Sequence, residues 1–283
     1  MKDCWHLFRA SEMASLREFL KRWEYRNVNL SRYFFTRKGL FKLLKTSVLY
    51  LCTPNEKLEA LLLKGPYGLF LPIFSENYDF MDFGLPGDLY DFKTLMGAGN
   101  VIQSSEINFI GRIKESVNYR LMSQTRLIKD NEKDKEQLKR DGLTIRRATV
   151  ADAQLLFPLQ QAYELEEVIM DPATFSPLLC MENLRKQLKN EIIFLAEMYG
   201  VPIAKAGTNA RGLYYAQLGG IYTIPAHRSK GFSQVLVQHL IKELNRLNLS
   251  TCLFVKPENT PAISVYKKCG MDDIGDFRIS YLF

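Results

Sequence analysis

Residues 217–233 constrain this chain more than any other stretch. They read Gln-Leu-Gly-Gly-Ile-Tyr-Thr-Ile-Pro-Ala-His-Arg-Ser-Lys-Gly-Phe-Ser. The apolar run from Leu218 to Ile224 has the character of a strand and stops at Pro225. A polar turn, His227 to Lys230, follows, and Gly231 opens a segment of helical period. Phe232, Val235, Leu236, Leu240, Ile241, Leu244 and Leu247 recur at three- and four-residue steps, which gives the helix one apolar face. Strand, tight turn and helix start, in that order, build an anion site. The first amides of a helix lack intrahelical partners, and the helix dipole adds partial positive charge there. Gly231 has no Cβ, so a phosphate can approach the backbone closely. Arg228 and Lys230 add fixed positive charge. The turn is suited to a diphosphate. The plain alternative is a strand–turn–helix with a surface Arg and Lys.

A second segment weighs against that alternative. Leu249 to Val255 is a short β-rich run, followed by Asn259-Thr-Pro-Ala262-Ile-Ser-Val-Tyr266-Lys-Lys-Cys-Gly270-Met271. Asn259 stands where a helix N-cap is expected, Pro261 falls in the first turn and Gly270 ends the helix. Ala262 and Tyr266 are four apart and share a face.

Together the two segments resemble the GNAT superfamily of acyl-CoA-dependent N-acetyltransferases, over residues 143–283. The family's pyrophosphate loop, Arg/Gln-x-x-Gly-x-Gly/Ala, is matched by Arg228-Ser-Lys-Gly231-Phe-Ser233, with Ser at the last small position. Its later motif, Asn-x-x-Ala-x-x-x-Tyr-x-x-x-Gly-Phe, is matched by Asn259, Ala262, Tyr266 and Gly270, with Met271 where Phe is usual. The resemblance implies an α/β fold with a mixed sheet (α+β), the GNAT fold in the C-terminal half, and acetyl-CoA as acyl donor. It also implies roles. The amides of Ile221 and Thr223 would hold the pantetheine arm and polarise the thioester carbonyl, with Tyr222 between them. Arg228, Ser229, Lys230, Gly231, Phe232 and Ser233 would hold the diphosphate. Asn259 would contact the pantetheine, and Tyr266 would protonate the departing thiolate.

The acceptor side has fewer signals. Many members of the family place a Glu near the central strand, but Tyr214 to Thr223 holds no carboxylate. The nearest candidates are Glu164, Glu166 and Glu167, with Tyr163 on the same helical face as the last two. Glu166 and Glu167 are the candidate catalytic carboxylates, to hold a cationic amine or take its proton through water. The alternative is a solvated acidic helix face. Tyr222 is a second candidate for orienting the acceptor.

The length of 283 residues suits two domains. Residues 128–142, dense in mixed charge, are the candidate linker between a unit at 1–130 and one at 143–283. The first unit reads as a helix at 12–26, β-rich runs near Val48–Cys52, Ala60–Leu63 and Tyr67–Ile73, a loop with Gly84, Pro86 and Gly87, and a helix at 105–116. It resembles a degenerate GNAT-like half with no cofactor loop, so a tandem architecture is expected. The second unit runs as strand Leu143–Arg147, a capping box at Thr149–Asp152, a helix at 178–189, and a hairpin of Ile192–Met198 and Val201–Thr208. Both cofactor motifs lie beyond residue 217, so residues 143–283 are expected to bind acetyl-CoA alone.

Residues 1–45 hold eleven Lys/Arg and four Asp/Glu, so they carry the whole net charge of +7. The plain reading is an amphipathic helix with Leu16, Phe19, Leu20 and Trp23 inward. The sharper one is a docking surface for an anionic partner such as RNA. Five scattered cysteines and three histidines argue against a metal site and suit a cytoplasmic protein. No apolar run has the length of a membrane span. Three functions remain: transfer of an acetyl group to a small, cationic or amino-acid-like primary amine; aminoacyl transfer from a charged tRNA; and a non-catalytic acetyl-CoA-binding module. The diphosphate loop argues against the second.

Overall fold

The computed structural model describes residues 5–35, 37–65, 68–75, 92–126, 142–169 and 171–283. The candidate linker at 128–142, apart from Gly142, and the loop with Gly84, Pro86 and Gly87 lie outside them. Among the described residues twelve strands form one sheet. In chain order they are β1 (Trp5–Leu7), β2 (Val48–Cys52), β3 (Ala60–Lys64), β4 (Leu69–Phe74), β5 (Thr94–Ala98), β6 (Ile113–Gln124), β7 (Leu143–Arg147), β8 (Ile193–Met198), β9 (Val201–Arg211), β10 (Tyr215–Thr223), β11 (Ser250–Val255) and β12 (Met271–Leu282). Across the sheet they run β1-β2-β3-β4-β5-β12-β6-β11-β10-β9-β8-β7.

That order interleaves the two ends of the chain. β6 lies between β11 and β12, with Met122 opposite Leu253 on one side and Tyr119 opposite Phe277 on the other. β12 lies between β6 and β5, with Ile279 opposite Met96. Residues 143–283 therefore do not contain every strand of their own part of the sheet. The seam is also tied by side chains. Glu106 accepts from Arg278 Nε at 2.9 Å and from Ser116 Oγ at 2.9 Å, and also bonds Ser280. Buried Glu24 accepts from the Tyr214 amide at 2.7 Å and also bonds the Leu213 amide and Ser31.

Helices cover the sheet: α1 (Met13–Trp23), α2 (Val28–Ser31), α3 (Arg37–Thr46), α4 (Gly99–Glu106), α5 (Ala153–Tyr163), α6 (Pro177–Asn190), α7 (Phe232–Arg246) and α8 (Thr260–Lys268). α1 buries Leu16, Phe19 and Leu20 and turns Arg17, Lys21 and Arg22 to solvent, the plain amphipathic arrangement. α7 buries Phe232, Val235, Leu236, Leu240, Ile241 and Leu244 against the sheet, as its period requires, while Leu247 at its end is exposed. The capping box at Thr149 is present, with Asp152 also held by Arg146.

One expected helix is not there. Residues 105–116 split between the end of α4, a 3-10 turn at Ile107–Phe109 and the start of β6. α4 begins earlier, at Gly99, and buries Val101, Ile102 and Ser105 on one face. β6 owes its extended form to pairing on both sides with strands more than a hundred residues away, which local spacing does not report. Among the described residues no helix is long and apolar enough to cross a membrane.

Candidate active site

The site begins with an irregularity in β10. Gly219 lies opposite Gly207, and the next pair is Tyr222 opposite Lys205. Gly220 and Ile221 thus face Ala206 alone, which is a β-bulge. Gly220 takes φ +60° to make it, in the left-handed region that glycine enters without penalty. On its other edge β10 pairs in parallel with β11 only from Tyr215 to Gln217. Beyond Gln217 the two strands part, and the edge from Leu218 to Thr223 has no strand beside it among the described residues. Backbone donors at such an edge are available to a ligand.

β10 runs into a 3-10 turn at Pro225–His227 and then into α7. Gly231 is the N-cap, at φ +84°, and its carbonyl accepts from the Val235 N–H at 3.2 Å. No side chain caps this end, so the amides of Phe232, Ser233 and Gln234 are the orphan donors of the helix. A Cβ on Gly231 would meet nothing within 4 Å. Backbone conformation, not crowding, is what calls for glycine there. Phe232 is buried and anchors the turn, while Arg228, Ser229, Lys230 and Gly231 are exposed. Two buried atoms beside the turn, Thr223 Oγ1 and His227 Nδ1, have no hydrogen-bond partner among the described residues. Unused donors, a bare helix start and open space fit a diphosphate.

The acceptor side arrives from α5. Its last turn opens into a π-helical segment, Glu164–Val168. Such segments aim side chains differently from an α-helix. Glu166 Oε2 accepts from Tyr222 Oη at 3.0 Å and from Arg228 at 2.7 Å. The Arg228 guanidinium also donates to Thr223 O at 3.0 Å and lies over the Tyr222 ring, 5.3 Å from its centroid. The Arg228 hydrogen bond, with help from Tyr222, holds the Glu166 carboxyl below its ordinary value. A carboxylate held that way is a weak base and a good anchor for a cation. Asn259 caps α8 by accepting from the Ala262 amide at 3.2 Å, and its Nδ2 donates to Glu167 Oε1 at 3.5 Å. The two loop motifs and the acidic segment therefore meet.

Tyr266 is buried on α8, and burial pushes its phenol well above the ordinary value. Among the described residues nothing hydrogen-bonds its hydroxyl. A tyrosine of this kind keeps its proton until a stronger base is presented.

Two further groups gather here that local pattern did not single out. Tyr119, on β6, lies in the field of Tyr163, Glu167 and Glu258, and burial raises its phenol to about 12. Lys205, on β9, is 2% exposed and donates to Gly220 O at 2.8 Å. A lone lysine in the apolar run Val201–Ala206 was its only signal in the sequence. A separate cleft of about 330 Å³, lined by Arg32, Tyr33, Lys42, Asn190, Glu191 and Arg211, opens at the far end of β9.

Residues 160–271 match the family model described as "Acetyltransferase (GNAT) family". No curated protein matches the chain. Among solved structures, a Drosophila protein is similar over 99% of this chain and 98% of its own, at 13% identity and a TM-score of 0.62. A GNAT-family acetyltransferase from Colwellia psychrerythraea is similar over 99% of each chain, at 10% identity and 0.54. A tandem GNAT protein from the clavulanic acid biosynthesis pathway is similar over 98% of each chain, at 10% identity and 0.54. These likenesses concern the fold. Residues 160–271 form a GNAT-family domain, set in a chain that has the tandem GNAT fold from end to end.

Proposed function

We propose that this protein moves the acetyl group of acetyl-CoA to a primary amine of a small, cationic or amino-acid-like acceptor. The observation that carries the reading is one juxtaposition. The open, bulged edge of β10 runs, through the turn at Pro225–His227, into an uncapped helix start. A thioester with a diphosphate tail needs those two features in that order.

In this reading the amides of Ser229 to Ser233 hold the diphosphate, with Arg228 and Lys230 adding charge. Ile221 and Thr223 hold the pantetheine arm, and Asn259 contacts it from α8. The Ile221 amide polarises the thioester oxygen. The neutral amine attacks the carbonyl carbon, the C–S bond breaks, and the thiolate takes the Tyr266 proton. The spare proton of the acceptor leaves through water. Glu166 and Glu167 anchor the acceptor's positive charge, consistent with the ionised state in which Arg228 holds Glu166. Tyr222 holds Glu166 through its hydroxyl. The unit at 1–130 holds no cofactor of its own and lends β6 to the unit at 143–283.

A second reading, a non-catalytic acetyl-CoA-binding module, draws on one observation. Glu166 is already ion-paired to Arg228, and β10 supplies no carboxylate base.

The test uses the full chain. Acetyl-CoA should raise its melting temperature, and thiol release should follow addition of a small-amine panel. Glu166→Gln and Glu167→Gln should raise KM for cationic amines and leave neutral ones unchanged. Tyr266→Phe should cut turnover about a hundredfold or more, with acetyl-CoA affinity retained. Stabilisation by acetyl-CoA without turnover on any amine favours the binding module. No stabilisation at all removes both readings.

A further inference from the structure

Lys205 is a buried cation that the reaction set out above does not use. It stands on β9 at 2% exposure, with its ammonium 4.6 Å from the Tyr163 ring centroid. Among the described residues no carboxylate forms an ion pair with it. Glu164 faces it without a contact ion pair. Burying a lysine on those terms is expensive, and Met or Leu would fill the same space in an apolar strand at no such cost. What the lysine does have is a single hydrogen bond, Nζ–H to the carbonyl of Gly220 at 2.8 Å.

That carbonyl is not an ordinary one. It belongs to the peptide unit inside the bulge, and the N–H of the same unit is that of Ile221. A trans peptide is planar and carries its C=O and N–H on opposite sides. With the carbonyl drawn toward Lys205 on the β9 side, the Ile221 N–H is turned away from β9, toward the edge where β10 and β11 part. A positive donor on the carbonyl pulls electron density through the amide and makes its N–H a stronger donor in turn.

We infer that Lys205 is a positioning residue whose ammonium fixes and polarises the Gly220–Ile221 peptide, so that the Ile221 N–H binds the thioester oxygen more strongly. This rests on the acetyl-CoA reading given above. The role needs the lysine charged. The groups that face it are Tyr163 from α5, Glu164 from the π segment, Cys180 from α6 and Tyr222 across the strand pair. Burial pushes its amine down to about 8, and Glu164 opposes that. The ammonium is thus present at neutral pH and lost just above it, at far lower pH than for a lysine in water.

The experiment is infrared difference spectroscopy of acetyl-CoA labelled with ¹³C at the thioester carbonyl, bound to the full chain and to Lys205→Met. In the parent the carbonyl band should move to lower frequency on binding. Lys205→Met should bind acetyl-CoA within about threefold of the parent yet lose most of that displacement. Its turnover on an accepted amine should fall about tenfold, less than the hundredfold or more that follows loss of a direct oxyanion donor. In the parent alone, the displacement should fade as pH rises through about 8. That titration decides the matter if Lys205→Met does not fold. An unchanged band in a folded, ligand-binding Lys205→Met, or a parent band indifferent to pH, overturns the inference while leaving the acetyl-CoA reading intact. Failure of the parent to bind acetyl-CoA overturns that reading, and this one with it.

Discussion

Two places in the sheet pair strands in parallel, and they differ in what fills the space beside them. In the earlier half β4 and β5 meet with Leu69 opposite Thr94 and Phe70 opposite Leu95. There Phe70 stacks on Phe92 at 4.8 Å between centroids, and Phe92 meets Phe109 edge-on at 4.9 Å. All three rings are buried. In the later half β10 and β11 also meet in parallel, but only from Tyr215 to Gln217, and the strands part ahead of the bulge at Gly220 and Ile221. Similar strand pairing has been resolved into packing in one half and into an open strand edge in the other. A strand arrangement by itself therefore says little about binding. The residues that fill it, or leave it empty, decide.

The comparison can be tested most severely by separating the halves. A fragment of residues 143–283 carries both cofactor motifs but lacks β6, leaving a gap between β11 and β12. It should not fold alone, a loss on the scale of a whole domain's stability, about 5–15 kcal/mol. Circular dichroism and acetyl-CoA thermal shift would report it. A fragment starting near residue 112, with β6 restored, should recover at least part of both signals. A folded, acetyl-CoA-binding 143–283 fragment would show that the exchange of strands is dispensable.

The next effect is on the packed side. Phe92→Ala should destabilise the chain by about 3–5 kcal/mol, by cavity formation, and leave acetyl-CoA affinity per folded molecule unchanged. Urea melts with and without acetyl-CoA separate the two quantities. A loss of affinity in the folded variant would mean the packed step supports the open one.

A somewhat smaller effect concerns Lys205. Its folded value of about 8 lies below the ordinary lysine value of 10.5. Below both values the buried ammonium is a full penalty, and above both it is gone. Stability should therefore rise as pH goes from about 8 to 10.5, by an amount on the order of 3 kcal/mol. The parent-minus-Lys205→Met difference in chemical-denaturation free energy isolates this slope. The smallest effect is at Gly231. Alanine there meets no neighbour, so only the left-handed backbone opposes it, by about 1–2 kcal/mol. Calorimetry should show weaker acetyl-CoA binding together with a fall in melting temperature of about a few degrees.

How much of this was legible beforehand follows the range of the forces involved. The turn at Arg228–Ser233, the Asn259 cap and the apolar face of α7 are set by neighbours within a few residues, and sequence spacing carries them. The hairpin of β8 and β9 and the capping box at Thr149 are equally local. β6 is different. The expected helix at 105–116 takes in only its first residues, 113–116, and local spacing gives no element for the rest, because the partners that keep it extended, Cys252 to Val255 and Met271 to Leu282, lie far along the chain. Lys205 was passed over for a related reason. Its burial depends on α5 and α6 closing over β9, and its meaning on a bulge in the adjacent strand. Tyr119 could not be placed until β6 was. Glu166 and Glu167 were picked out as a pair, but the π segment gives them separate partners, Arg228 and Asn259.

The interleaving of β6 and β12 also governs how such a chain comes into being. β12 follows the other eleven strands in the order of synthesis, yet it takes a place in the middle of the sheet, against β5 and β6. Until it emerges from the ribosome, both β5 and β6 present a bare edge, and neither half is closed. Contacts between partners this distant in sequence form slowly, because much chain must be ordered before they are rewarded. Unpaired edges in the meantime are templates for other chains. A nascent protein of this design waits for its last strand, and its yield in a cell will depend on what shields those edges while it does.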